Sequence, residues 1–170
     1  MSPMDLPAPA SGRLRSVQRP SRGFTLLELM LVGAVATLLM AIAVPAYQRV
    51  VERQRVGVCT RDLMTLAMLI QKHRTANGFE PPMSLAELGP EAPRQDPWGF
   101  EYRYLNFEDD SPGVVGRIRK DHNLHPLNTE FDLYSVGPDG RSRPPLTAAH
   151  SRDDVVWARD GGFVGVASDY

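Results

Sequence analysis

The chain has 170 residues, with 19 Lys and Arg against 20 Asp and Glu and a formal net charge of −1. Its apolar content of 42% is too high for a wholly disordered chain, and its single cysteine excludes an intrachain disulfide. Because the chain has no basic excess, we expect no nucleic-acid partner.

The charges are segregated along the chain. Residues 1–23 hold four arginines against one aspartate, and residues 24–44 form a run of 21 in which 17 are apolar and only Glu28 is charged. A helix of this length spans about 30 Å, the thickness of the hydrocarbon core of a bilayer. The sequence therefore predicts a membrane-spanning helix over 24–45, with a cytoplasmic N-terminus because of the preceding arginines.

A cleaved signal peptide and a buried helix of a soluble domain are the two other interpretations of the N-terminal region. A cleaved signal peptide has an apolar core of about 7 to 15 residues, which is shorter than the run seen here. A buried helix of a soluble domain would not need four arginines in front of it, nor would it be apolar on every face. The length and the flanking charges favour the membrane helix.

Glu28 is the residue that an ordinary membrane anchor does not explain. A carboxylate in the hydrocarbon region costs about 2.5 kcal/mol or more unless it is paired, protonated or close to the interface. Glu28 lies near the start of the run, so its side chain could reach the interface. The other interpretation is a positive partner that another chain supplies.

The segment 22–29, RGFTLLEL, resembles the processing site of type IV prepilins and of the pseudopilins of type II secretion. The resemblance implies that a prepilin peptidase removes the leader 1–23 by cutting after Gly23 and that it methylates the new amine of Phe24. It also implies that Glu28 pairs with the N-terminal ammonium of a neighbouring subunit in a filament. The cut would create the cation that a buried carboxylate requires.

The next segment, 46–78, is predicted to be an amphipathic helix. Its apolar residues recur at spacings of 3, 4, 3 and 4 and form one stripe: Val56, Cys59, Leu63, Leu66 and Ile70. Asn77-Gly78 is a typical C-terminal signal. Pro45 lies where pilin-like proteins commonly interrupt the helix. We expect Cys59 to be a small buried residue rather than a nucleophile, since no activating partner is evident.

Residues 79–170 are predicted to form a globular region. Ser84 and Glu87 have the spacing of a capping box at the start of a short helix, and a turn is expected at 96–99. The alternation of residues predicts strands at 100–105, 114–119 and 131–136 and a short extended segment at 155–157. The expected fold class is α+β, with a long N-terminal helix packed on a small C-terminal antiparallel sheet.

Three segments of this region are similar to the major, G-type pseudopilin of type II secretion: DPWGFEYRYL at 96–105, FDLYSVGPDG at 131–140, and Asp153-Asp154. Residues 106–130 and 141–152 fit the family poorly. The resemblance implies a calcium site made by the Val136 carbonyl, Asp139, and Asp153 or Asp154. Calcium prefers such carboxylate and carbonyl oxygens. The alternative is that these aspartates cap turns and face water.

The resemblance implies a structural subunit of a type II secretion pseudopilus, anchored once in the bacterial inner membrane with its C-terminal domain in the periplasm. Its implied partners are further copies in a helical filament, other pseudopilins or minor pilins, the prepilin peptidase and methyltransferase, and an inner-membrane assembly platform. A type IV pilus subunit, major or minor, and a membrane-anchored periplasmic binding module are the alternatives.

Other chemistry has little support in the sequence. There is no Gly-rich phosphate loop, serine triad or zinc motif, so we expect no enzymatic activity. His122 and His125 could chelate a metal from a helix, but the neighbouring Asn123 and Pro126 favour a solvated loop.

Overall fold

The computed structural model describes residues 23–122 and 124–170. Of the predicted leader 1–23, all but Gly23 lies outside the described residues. The chain divides into two compact units, Met1–Ala43 and Val44–Tyr170. The secondary structure comprises one long helix followed by a four-stranded antiparallel sheet, so the expected α+β class is confirmed.

Helix α1 runs from Leu26 to Ala76 and contains Pro45. All but the terminal residues of the predicted segments 24–45 and 46–78 therefore belong to one helix, which is not interrupted at the proline. The helix ends as the sequence predicted: Gly78 adopts a φ of +72°, and the N–H of Phe79 donates to the Arg74 carbonyl at 2.7 Å. Glycine adopts this left-handed conformation without the penalty that a Cβ imposes.

In the first unit, the side chains of the apolar run are exposed. Leu26, Leu38 and Ile42 are 77%, 65% and 67% exposed. α1 is the one helix among the described residues that is long and apolar enough to cross a membrane. Its apolar N-terminal part has the length and the composition that the predicted membrane-spanning segment requires.

The sheet of the second unit is a meander in which each strand pairs antiparallel with its neighbour in the chain. The strands are β1 Arg103–Asn106, β2 Phe131–Ser135, β3 Val155–Ala158 and β4 Phe163–Val166. The register places Tyr104 opposite Leu133, and Leu133 opposite Trp157. Successive side chains of β2 and β3 therefore point alternately to two faces, and both faces are buried.

Each face of the sheet has its own core. The first core joins the stripe of α1 to one face, and its main members are Cys59, Leu63, Leu66, Ile70, Phe131, Leu133, Val155 and Trp157. Phe131 and Trp157 stack there with ring centroids 4.8 Å apart. The second core covers the opposite face with Leu127, Leu146, Val156, Ala158 and Ala167. The predicted stripe of α1 is confirmed, with Val56 only partly buried.

Three expectations for the globular region were wrong or incomplete. The segment predicted as a strand at 114–119 instead contains a one-turn helix α2, Val114–Arg117; Val114 is buried while Val115 is 74% exposed. Gly116 favours neither a strand nor its packing, which explains the error. Strand β4 was missed, because its four residues carry no strong alternation.

The predicted capping box at Ser84 was also wrong. A short 3₁₀ helix forms at Leu85–Leu88, but the Ser84 side chain makes no capping hydrogen bond. Glu87 Oε2 instead accepts the backbone N–H of Met83 at 3.2 Å.

Candidate functional site

The start of α1 places Glu28 at a helix N-terminus. Thr25 directly precedes the first helical residue, Leu26, and its Oγ1 accepts the backbone N–H of Glu28 at 3.2 Å. Glu28 is the third residue of the helix, so its carboxylate lies at the positive end of the helix dipole. This cap was not predicted, although the spacing Thr-x-x-Glu is its signal.

Gly23 and Phe24 lie outside the helix, and Phe24 is 75% exposed. The peptide bond between them thus lies in non-helical chain within a short distance of Glu28. Their predicted role in processing stays a prediction, as does the role of Phe24 and Glu28 in assembly.

The turn after β2 brings together three of the four predicted calcium ligands. Val136 is buried at its start, and Gly137 packs closely on the Asp153 backbone, with a φ of +65°. The backbone N–H of Asp139 donates to Asp153 Oδ2 at 3.2 Å. Asp139 Oδ1 in turn accepts the N–H of Arg141 at 2.7 Å. These carboxylates stabilise the turn through backbone donors.

Asp154, the fourth predicted ligand, is bonded to side chains rather than to the backbone of the turn. It is fully buried, and its Oδ2 accepts hydrogen bonds from Arg119 Nη2 and from the Ser142 hydroxyl, both at 2.6 Å. Burial raises the pKa of Asp154, while the nearby Arg119 guanidinium acts in the opposite direction. The carboxylate of Asp154 is therefore engaged by a cation of the protein itself.

The four predicted residues fall into two groups: Asp139 and Asp153 meet at the turn next to Val136, whereas Asp154 pairs with Arg119. Calcium takes about six to eight oxygen ligands, usually with several carboxylates converging on one point. Among residues 23–122 and 124–170, no three His, Cys, Asp or Glu side chains converge in this way. Calcium binding stays a prediction. Arg119 and Ser142 were not singled out from the sequence, because they lie in the two segments that fit the family poorly.

His122 and Cys59, the candidates for metal binding and for nucleophilic chemistry, make structural contacts, as Trp98 does. The ring of His122 is exposed and contacts Asp121 at 2.9 Å, in a turn rather than a helix. Cys59 is buried, and burial raises the pKa of its thiol to about 12. Trp98 Nε1 donates to Glu52 of α1 at 3.1 Å. Cys59 and Trp98 thus hold the helix against the rest of the second unit.

Comparisons with known proteins give one matching family and several relatives. Residues 18–44 match the family described as the prokaryotic N-terminal methylation motif. The chain is 27% identical over 143 residues to type II secretion system core protein G of Pseudomonas aeruginosa, covering 73% of this chain and 88% of that protein. It is 28% identical over 156 residues to the core protein G of Klebsiella pneumoniae, covering 79% and 91%.

A third relative, the type II secretion system core protein G of Dickeya chrysanthemi, is 28% identical over 144 residues, covering 73% of this chain and 82% of that protein. No solved structure matches the chain significantly. The methylation motif covers the start of the apolar helix, and the three relatives are type II secretion system core proteins G whose similarity covers 73–79% of this chain. The chain is therefore similar to the G-type pseudopilins of the type IV pilin-like family.

Proposed function

We propose that this protein is a structural subunit of a type II secretion pseudopilus. The observation that carries the proposal is the coincidence of the methylation motif at 18–44 with an exposed apolar helix that begins at Leu26. Similarity to type II secretion core protein G over most of both chains supports the same function. The role is structural: the protein acts by assembling.

Processing prepares the subunit for assembly. We propose that a prepilin peptidase cuts between Gly23 and Phe24 and methylates the new amine. The amine then carries a positive charge just before the start of α1. The mature protein waits in the inner membrane as a single-pass protein, with its sheet domain in the periplasm.

Assembly uses the only charge of the apolar run. On an isolated helix, Glu28 is stabilised by the helix N-terminus and the interface. When the helix moves from the membrane into a bundle of identical helices, these surroundings are lost and an unpaired carboxylate becomes costly. The ammonium of Phe24 on a neighbouring copy offsets this cost, which fixes the axial register of each subunit. The further partners that we propose for the subunit are other pseudopilins and an inner-membrane assembly platform.

The experiment is to replace Glu28 in the full chain and to separate processing, insertion and assembly. Glu28→Gln keeps the size of the side chain and removes its charge, and Thr37→Ala in the same apolar run is the matched control. We expect Glu28→Gln to remain in the membrane fraction but to form no sedimentable filaments, while Thr37→Ala assembles normally. Intact-mass measurement of the wild-type protein should find a chain that starts at methylated Phe24.

Normal filaments from Glu28→Gln would contradict the pairing of Glu28 with the amine. An uncut N-terminus in cells that contain the peptidase would contradict the proposed function as a whole. Surface pili, in place of filaments confined to the periplasm, would indicate a type IV pilus subunit.

A further inference from the structure

Arg119 is one of the few charged residues of the second unit that are buried. Its side chain is 2% exposed, and it lies on the face of the sheet opposite α1. Its guanidinium donates to Asp154 Oδ2 at 2.6 Å and to Ser142 Oγ, and it lies 4.2 Å from the centre of the Tyr134 ring. A buried arginine is rare unless it is paired, because desolvation of its charge is costly.

The backbone of Arg119 and of the next residue is also hydrogen-bonded to other segments. Its N–H donates to the buried carboxylate of Asp132 at 2.6 Å. The next residue, Lys120, pairs with the extended loop, through its N–H to the Pro144 carbonyl at 3.1 Å and through its carbonyl to the Leu146 N–H at 2.9 Å. The guanidinium thus comes from a segment whose backbone is itself hydrogen-bonded to β2 and to the extended loop.

The arginine connects three segments that are distant in sequence. It comes from the stretch after α2, Ser142 comes from the loop after the Gly140 turn, and Asp154 directly precedes β3. Ser142 also donates to Asp154 Oδ2 at 2.6 Å, so the three side chains close a triangle. A metal ion bound by Asp154 would have to connect the same loop to the same strand.

The segments that supply these groups are those that depart from the family. Residues 106–130 contain Arg119, and residues 141–152 contain Ser142. Both stretches fit the G-type pseudopilin poorly, whereas the aspartates around them fit well. The segments that differ from the family therefore supply the internal cation, Arg119, at the position where the resemblance implies calcium.

We propose that the guanidinium of Arg119 is the structural cation of this loop and takes the place of a calcium ion at Asp154. Asp154 Oδ2 cannot ligate a calcium ion at about 2.3–2.6 Å while it pairs with a guanidinium, since the two cations would repel at close range. Asp139 and Asp153 serve the turn through backbone N–H groups. The protein is thus folded and its loop ordered without calcium.

Two buried polar atoms of the pair leave calcium as the alternative that a test must exclude. Arg119 Nε and Asp154 Oδ1 are buried and have no hydrogen-bond partner among the described residues. If Asp154 Oδ1 were a calcium ligand, the metal would stabilise the wild-type protein, and this stabilisation would be lost in Asp154→Asn. If the arginine is the structural cation, the two proteins should both be indifferent to calcium.

The test uses the full chain in detergent. It compares Arg119→Met, Asp154→Leu and their double variant with Arg117→Met as the exposed matched control, and it measures Asp154→Asn with and without calcium. The wild-type melting temperature should be the same in excess EGTA and in millimolar calcium. Each single variant at the pair should melt roughly 10 °C lower, because one buried charge loses its partner, and the double variant should regain most of that loss. Arg117→Met should melt as the wild type does.

Limited trypsin digestion, carried out well below the melting temperatures of all the variants, measures the local opening of the loop. The bond after Arg141 precedes Ser142, so it should be cleaved faster in Arg119→Met than in the wild type or in Arg117→Met, with or without calcium. The proposal is overturned if calcium raises the wild-type melting temperature and Asp154→Asn removes that increase. It is also overturned if Arg119→Met folds, melts with the wild type and protects the loop equally well.

Discussion

The hydroxyl of Tyr102 donates a hydrogen bond to the carboxylate of Asp62 at 2.8 Å, and this bond links the segment before β1 to α1. Tyr102 is 5% exposed, so its hydroxyl has little access to other partners. Tyr102→Phe keeps the packing of the ring and removes the donor. We expect a loss of about 1–2 kcal/mol in the free energy of unfolding, measured by denaturant titration of the full chain in detergent.

Tyr47→Phe is the matched control for this loss, because Tyr47 lies on α1, as Asp62 does, and is 71% exposed. It should leave the stability unchanged. Equal stabilities of the two variants would show that the bond between Tyr102 and Asp62 contributes nothing.

The stripe of α1 can be tested with two adjacent residues. Leu63 is fully buried, whereas Met64 is 46% exposed. Leu63→Ala should cost about 2–5 kcal/mol through lost burial and a cavity, while Met64→Ala should stay within about 0.5 kcal/mol of the wild type. Denaturant titration measures both, and a larger cost at Met64 would mean that the helix presents another face to the sheet.

The turn after β2 requires glycine at position 137. A Cβ there would lie 2.4 Å from the backbone oxygen of Asp153, and the φ of +65° is unfavourable for other residues. Gly137→Ala should therefore destabilise the protein by at least about 2 kcal/mol. Gly116→Ala is the control, since a Cβ at Gly116 meets no atom within 4 Å. Thermal unfolding of both variants checks the difference, and similar melting temperatures would refute it.

Cys59 should be unreactive in the folded protein. Burial raises the pKa of its thiol from 9.0 to about 12, so the thiolate that an alkylating reagent attacks is scarce. Iodoacetamide at pH 8 should modify Cys59 only after denaturation, as measured by intact mass. Met68→Cys in a Cys59→Ala background places a thiol at a position that is 64% exposed and should react readily without denaturant.

The same shift has a consequence for stability at high pH. Below pH 9 the thiol is protonated in both states, so its stabilising contribution is fully present, and this contribution is lost as the pH rises towards 12. The stability of Cys59→Ala should therefore decline less steeply than that of the wild type in this range. Identical slopes would contradict the raised pKa.

The parts of the fold that the sequence predicted are those with a regular pattern. The stripe from Cys59 to Ile70 has helical spacing, and β2 and β3 combine apolar residues with clear turn signals. β4 and α2 could not be predicted, because each is only four residues long and contains a glycine. Such a short segment matches neither a strand nor a helix pattern. At such lengths the long-range partners decide the local structure.

The candidate site shows the same limit. The turn around Gly137 and Asp139 was evident, since glycine and aspartate determine turns locally. The pairing of Arg119 with Asp154 was not, because 34 intervening residues and a sheet bring the two charges together. Resemblance to a family predicted a carboxylate at this position but could not predict which cation it faces.

The order of elements in the chain has a consequence for the export of this subunit. The stripe of α1 comes before every strand that covers it, and its partners Val155 and Trp157 lie close to the C-terminal end of the sequence. Until those residues have crossed the membrane, the closure of so long a loop is opposed by chain entropy, and the stripe stays in water. A subunit whose translocation stalls therefore exposes the apolar stripe to chaperones and proteases, whereas a completed one buries it against the sheet.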